Sequence, residues 1–182
     1  MSELSEIRER FVILLLGVED NPIPTKWHVQ KEIFIFSKIH PKIQDLFHFV
    51  KHYEGPYSQL LQEAIVEPMH YENAYEFTSN NALGLLPLGK NIFQDFKMQY
   101  GNLESFIQTV NSLRLIRTIY DKLSKNELLL LMYITYPEFI EYSGVYDDLV
   151  KNDENRRVIS NNLLNKGLIT KDRFEELINY VS

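Results

Sequence analysis

The sequence predicts a mainly α-helical protein with a small β-hairpin, and three observations carry that expectation. Apolar residues recur at helical spacing along most of the chain. Gly and Pro number only seven each among 182 residues, which favours short connections between helices. One stretch, Ser79-Asn80-Asn81 between two short apolar runs, has the chemistry of a hairpin turn, because Asn tolerates positive φ. With 45% hydrophobic and 24% charged residues, the chain has an ordinary globular composition and can bury a core without disulfides. Its one unusual feature is aromatic content: 11 Phe, 11 Tyr and 1 Trp.

The elements follow in order. Leu4, Ile7, Phe11, Leu14 and Leu15 form a helical stripe that Gly17 can end. Thr25 is placed to cap a second helix through Ile39. Its run Ile33-Phe34-Ile35-Phe36 is apolar all round and so belongs in the interior. Leu46 to Tyr53 alternates as a short strand or extended lead-in, with a helical reading close behind. Pro56 suits the first position of a helix running to about Glu67, which buries Leu60, Leu61, Ala64 and Ile65. The hairpin takes 75–78 and 83–87, and a helix over 89–98 turns Ile92, Phe93 and Phe96 inward. From Asn102 a long helix carries Phe106, Ile107, Val110, Leu113, Ile116, Ile119, Tyr120 and Leu123. Ser124-Lys-Asn-Glu127 is a capping box ahead of Leu128–Met132, the most specific local signal in the chain. Tyr136-Pro137 ends that helix. Helices over 144–151, 154–166 and 171–181 complete the set, with Gly167 as a C-cap and Thr170 as the next N-cap. A change of character at Tyr100-Gly101 divides the chain into residues 1–100 and a helical extension over 101–182, expected to pack on it.

Charge and cysteine usage narrow the functional classes. Nineteen Lys and Arg against 25 Asp and Glu give a net charge of −6, which counts against nucleic acid as a default partner. The absence of cysteine removes disulfides, thiolate zinc sites and cysteine nucleophiles, and fits a reducing cytoplasm. The start Met-Ser-Glu-Leu-Ser-Glu lacks the positive region of a secretory signal. The early apolar run Phe11–Leu16 is far short of the roughly 20 residues a membrane span needs. The expectation is a cytoplasmic protein without a membrane partner.

The order helix, helix, strand, helix, hairpin, helix over residues 1–100 resembles that of a winged-helix domain, with the hairpin as wing. The segment Tyr53-Glu-Gly-Pro-Tyr-Ser58, the helix start Lys26-Trp-His-Val-Gln-Lys31, the later Glu127-Leu-Leu and Tyr136-Pro-Glu-Phe extend the likeness. Over roughly residues 1–140 the chain resembles the YwgA-like proteins and, distantly, the Panacea domains of prokaryotic antitoxins. It departs from their pattern in lacking an arginine in the second helix start and in closing the wing with Leu86-Pro-Leu-Gly89. The resemblance implies a winged-helix-like fold, a prokaryotic origin and a role in binding a partner protein.

Each candidate site has a plain structural counterpart. In Gly55-Pro56-Tyr57-Ser58 the Gly frees a backbone angle and the Pro sets φ, so a structural role competes with a partner loop. Tyr53, Tyr57, Tyr71 and Tyr75 flank this motif and the wing and form the expected partner-facing cluster. His48 and His52 share a face on either a helix or a strand, but two histidines without a third ligand do not make a zinc site. Asp147, Asp148, Asp153 and Glu154 lack the spacing of a calcium loop. Gly84-Leu-Leu-Pro-Leu-Gly89-Lys90 meets Asn91 where a phosphate loop needs Ser or Thr. The helix expected to read DNA, residues 57–67, shows Glu63 and Glu67 and no cation. Arg156, Arg157, Lys166, Lys171 and Arg173 in the last helical pair are the alternative nucleic-acid contacts. No catalytic, metal or cofactor signature emerges. The expected function is a non-enzymatic protein-interaction or regulatory module, antitoxin-like, acting through a partner or homodimer surface. The alternative is a sequence-specific DNA-binding regulator.

Overall fold

In the computed structural model, which describes residues 3–180, the helical stripes become nine α-helices and the two extended stretches become two-stranded antiparallel hairpins. The first half holds α1 (Glu3–Gly17), α2 (Lys26–Ile39), α3 (Pro41–Phe47), β1 (Val50–His52), β2 (Gly55–Tyr57) and α4 (Gln59–Val66). Then come β3 (Tyr75–Phe77), β4 (Leu83–Leu85), α5 (Pro87–Tyr100) and α6 (Glu104–Tyr120). The remainder is α7 (Lys125–Thr135), a 3-10 turn (Pro137–Phe139), a π-helical turn (Asp147–Lys151), α8 (Asp153–Asn165) and α9 (Lys171–Ile178). The fold is mainly α with small β-hairpins. Val181, the last residue of the helix expected over 171–181, lies outside the described residues, as do Met1 and Ser2 of the acidic N-terminal stretch.

The chain forms two units. One runs to Phe49 and resumes over Ser58–Asp121; the other comprises Val50–Tyr57 and the chain from Lys122 on. This differs from the boundary expected at residue 100. Leu113, Ile116 and Arg117 of α6 are buried in the first unit, while the β1–β2 hairpin leaves it for the second.

The first unit is built around α1 and α2. Phe11–Leu16 of α1 and the whole of His28–Ser37 in α2 are buried, as the all-round apolar run of α2 requires. Phe11 packs against Phe36 and Phe47 with ring centroids at 5.3 and 5.8 Å, and Phe34 meets Phe49 edge-on at 5.3 Å. Thr25 stands at the N-cap of α2, but its hydroxyl bonds Nδ1 of His28 at 2.8 Å and not a backbone amide. Two buried charges organise this core. The Glu9 carboxylate accepts the amides of Met69, His70 and Tyr71 at 2.8–2.9 Å, which secures the loop after α4. The Arg117 guanidinium donates to the carbonyls of Leu15 and Leu16 at 3.2 Å, to that of Asn21, and to Oδ2 of Asp121 at 2.8 and 2.9 Å. Leu15 and Leu16 lie in the last turn of α1, where carbonyls have no intrahelical partner and a cation is favoured.

Four boundaries move from their expected positions, two of them substantially. Leu46 and Phe47 end α3, His48 takes a left-handed conformation (φ 48°) at its C-cap, and only Val50–His52 is strand. Pro56 does not start a helix: it lies in β2 opposite Lys51, and α4 begins at Gln59. The reason is Ser58, whose hydroxyl accepts the Leu61 amide at 3.0 Å and donates to the Phe47 carbonyl. Its backbone is held by the Gln30 amide through two bonds of 2.9 Å. The second hairpin stands as expected, Tyr75 facing Leu85 and Phe77 facing Leu83, with Asn81 at φ 61°. Pro87 opens α5, two residues ahead of Gly89, and α6 is capped by Leu103 in place of Asn102.

In the second unit the capping box forms in full: Ser124 Oγ accepts the Glu127 amide, and Glu127 accepts the Ser124 amide at 2.6 Å. Lys166 reaches the same buried carboxylate at 2.7 Å. Asn152 caps α8, Gly167 ends it at φ 67°, and Thr170 Oγ accepts the Arg173 amide at the start of α9. The Gly144 amide bonds the Tyr53 carbonyl at 3.1 Å, and the Tyr133 ring stands edge-on to Tyr146 at 5.7 Å.

Candidate functional site

Of the seven residues expected to face a partner, six are buried or half-buried. Ser58, Tyr71 and Tyr75 belong to the first unit; Tyr53, Gly55, Pro56 and Tyr57 belong to the second. Tyr75 is 4% exposed and donates its hydroxyl to the Ala64 carbonyl at 2.6 Å; burial pushes its phenol far above the ordinary range. Tyr71 is half-buried, accepting from Arg10 at 2.7 Å and donating to Glu6 at 3.0 Å. Ser58 is fully buried as a cap. Gly55, at φ 77°, and Pro56 are buried in the turn and strand of the hairpin, and Tyr57 is half-buried against His52 with ring centroids at 4.6 Å. Tyr53 alone of the seven is open, at 56% exposure.

The alternative nucleic-acid residues fare similarly. Arg156 is 5% exposed and donates to the carbonyls of Val150, Leu177 and Ile178 and to Asp153. It ties the end of α9 to α8 and has no guanidinium face left for phosphate. Lys166 is paired with Glu127 and Arg173 with Glu176. Of the five, only Arg157 and Lys171 are exposed without an ion pair among the described residues. In α4, Gln59 and Glu63 are exposed and bonded to each other at 3.1 Å, so this helix offers a polar, uncharged-to-acidic face.

A surface of different character lies on α1, α5 and α6 of the first unit. The apolar stripes of these helices run longer than their packing neighbours cover. Leu4 and Ile7 at the start of α1 are 51% and 39% exposed. Phe96 near the end of α5 is only half-buried, although its spacing turns it inward. At the start of α6, Phe106 and Val110 are half-buried and Ile107 is 40% exposed, whereas Leu113 and Ile116 further along are sealed. Ile7, Phe96, Phe106, Ile107 and Val110 line two furrows. One, of about 200 Å³, is floored by Phe11, Leu14, Phe96 and Tyr100; the other, of about 190 Å³, lies between α5 and α6. Phe106 lines both. A larger cleft of about 530 Å³ adjoins the second furrow at Phe93, Lys97 and Arg114 and is walled by the loop 18–22 and Lys90. There Arg114 donates to the Val18 carbonyl at 3.2 Å and faces Glu19 at 3.6 Å.

The stripes themselves were visible as residues of helical period. The signal that they form a surface is that, among the described residues, three stripes extend past the point where their own unit covers them. Comparison with protein-family models, curated proteins and solved structures finds no match to this chain. Among the described residues no helix is long and apolar enough to cross a membrane.

Proposed function

We propose that this chain is a non-enzymatic protein-interaction module of the cytoplasm, antitoxin-like in acting by docking, and that it docks through the α1–α5–α6 face. The observation that carries this reading is the convergence of uncovered stripe residues, Ile7, Phe96, Phe106 and Ile107, on two adjoining furrows of the first unit. Exposed apolar residues scattered singly need no explanation, whereas contiguous ones lining furrows mark association surfaces. The aromatic surplus supports the same reading, since Phe and Tyr supply large contact area at low entropy cost. The DNA alternative keeps Arg157 and Lys171 but not Arg156, and it has no cation on α4.

The test is a comparison of the native chain with an Ile7→Glu, Ile107→Glu double variant. Both positions are partly exposed, so the variant folds with an unchanged urea midpoint. A protein or second copy that associates with the native chain and not with the variant is the expected result. A native chain that sediments as a lone monomer, and from a native lysate recovers the same proteins as the variant, overturns the proposal.

A further inference from the structure

We infer that the occupant of the α1–α5–α6 face is an acidic amphipathic helix, a segment whose apolar stripe is flanked by carboxylates. This rests on the interaction reading above and adds the partner's chemistry. Every charged residue lining the two furrows is a cation: Arg10 in the first, Lys97 and Arg114 in the second. They line it in a chain whose net charge is −6. Arg10 is engaged by Glu6 at 2.7 Å. The Lys97 ammonium stands 5.7 Å from the centre of the Phe93 ring and has no ion pair among the described residues. Among the described residues Arg114 is paired with Glu19 at 3.6 Å, a carboxylate that lines the neighbouring cleft and not the furrow.

Apolar floors with a cationic border select their occupant. Each furrow is smaller than the roughly 300–1,000 Å³ of a small-molecule site, and the two adjoin at Phe106, as side-chain pockets do that take the apolar stripe of an amphipathic helix. A basic helix would set like charges against Lys97 and Arg114. A second copy would do the same, because a two-fold contact places the same patch on both subunits and so juxtaposes its own cations. An acidic flank instead pairs Lys97, and it competes with Glu19 for Arg114.

The experiment titrates the full chain against two fluorescein-labelled synthetic helices of identical Leu spacing, one flanked by Glu and one by Lys, with fluorescence anisotropy as readout. The Glu helix is expected to bind, more weakly as salt rises, and the Lys helix on the order of tenfold less tightly. Lys97→Glu and Ile107→Glu each weaken the Glu helix by about tenfold, and Glu19→Gln tightens it several-fold by releasing Arg114. Urea midpoints confirm that each variant is folded. Equal binding of both helices, insensitive to Lys97→Glu yet lost in Ile107→Glu, overturns the acidic partner and leaves the docking face standing. Binding of neither helix, with self-association of the native chain that Ile107→Glu abolishes, overturns it in favour of a second copy. Binding of neither, with a monomer unchanged by Ile107→Glu, overturns both readings.

Discussion

Replacing Glu32 by Gln is expected to stabilise the protein, by an amount that grows with pH. Glu32 lies on α2 with no solvent exposure, and neither of its carboxyl oxygens has a hydrogen-bond donor; Oδ1 of Asp121 has none either. Two facing carboxylates hold only acceptors, so these oxygens are satisfied when Glu32 carries a proton and gives it to Asp121. Burial drives the Glu32 carboxyl well above its ordinary range; the charge of Asp121 adds to this, and Arg117 opposes it. The sign of the pH dependence follows. Below about pH 4, folded and unfolded chains both carry the proton and the group contributes nothing. Above the unfolded value of about 4.3 the unfolded chain ionises while the folded one does not, and stability falls by about 1.4 kcal/mol per pH unit until the folded carboxyl ionises. At pH 7 the cumulative cost is at most about 4 kcal/mol. Gln keeps the donor toward Asp121 and does not titrate, so E32Q removes the slope. Urea denaturation of both proteins at pH 4, 6 and 8 reads the difference directly. Curves that stay parallel across that range, or a variant whose deficit grows toward pH 8, refute the shared-proton arrangement.

Two further substitutions separate structural from surface roles. Arg156→Ala removes the guanidinium donor shared by the carbonyls of Val150, Leu177 and Ile178 and is expected to cost about 2–4 kcal/mol, whereas Arg157→Ala stays within about 0.5 kcal/mol. Thermal unfolding distinguishes the two, and equal small effects would contradict the buried network. Gly89→Ala would gain about 1 kcal/mol in an open helix, but here its Cβ would stand 2.0 Å from the backbone carbonyl oxygen of Ala74. The expected net effect is a loss of about 1–3 kcal/mol of stability, read by urea unfolding, and a gain would show that α5 can move off the Ala74 backbone.

Signals confined to a few neighbouring residues were legible in the sequence. The Ser124–Glu127 capping box, Gly167 with Thr170, and the buried run of α2 each depend on local geometry, and each stands where the residues place it. What the sequence obscures is anything decided by a distant partner. Pro56 has the local credentials of a helix start, but Gln30 and the Phe47 carbonyl fix Ser58 as the cap and leave Pro56 in a strand. Arg156 looks like an exposed cation until its acceptors, the carbonyls at the end of α9, are known. Glu9 carries no sequence signal, since its amide donors lie about 60 positions away, and for Arg117 the sequence offers only the i,i+4 partner Asp121, its carbonyl acceptors lying about 100 positions away. The candidate face illustrates the remaining gap: periodicity identified Phe96, Phe106 and Ile107 as apolar stripe members, but only packing reveals which stripe ends go uncovered.

The detour of the β1–β2 hairpin has a consequence for how the protein is made. During synthesis residues 50–57 emerge long before Glu141 and Gly144, which receive Lys51 and the Tyr53 carbonyl. Until then the hairpin has only its own two strands, and such a ribbon is marginally stable alone. The first unit waits as well, because the guanidinium that caps α1 is at position 117. Neither half is a contiguous autonomous stretch, so a nascent chain of 100 residues lacks the means to complete either. Closing such long loops slows folding, and a chain cut short before residue 117 lacks the contacts that complete either unit.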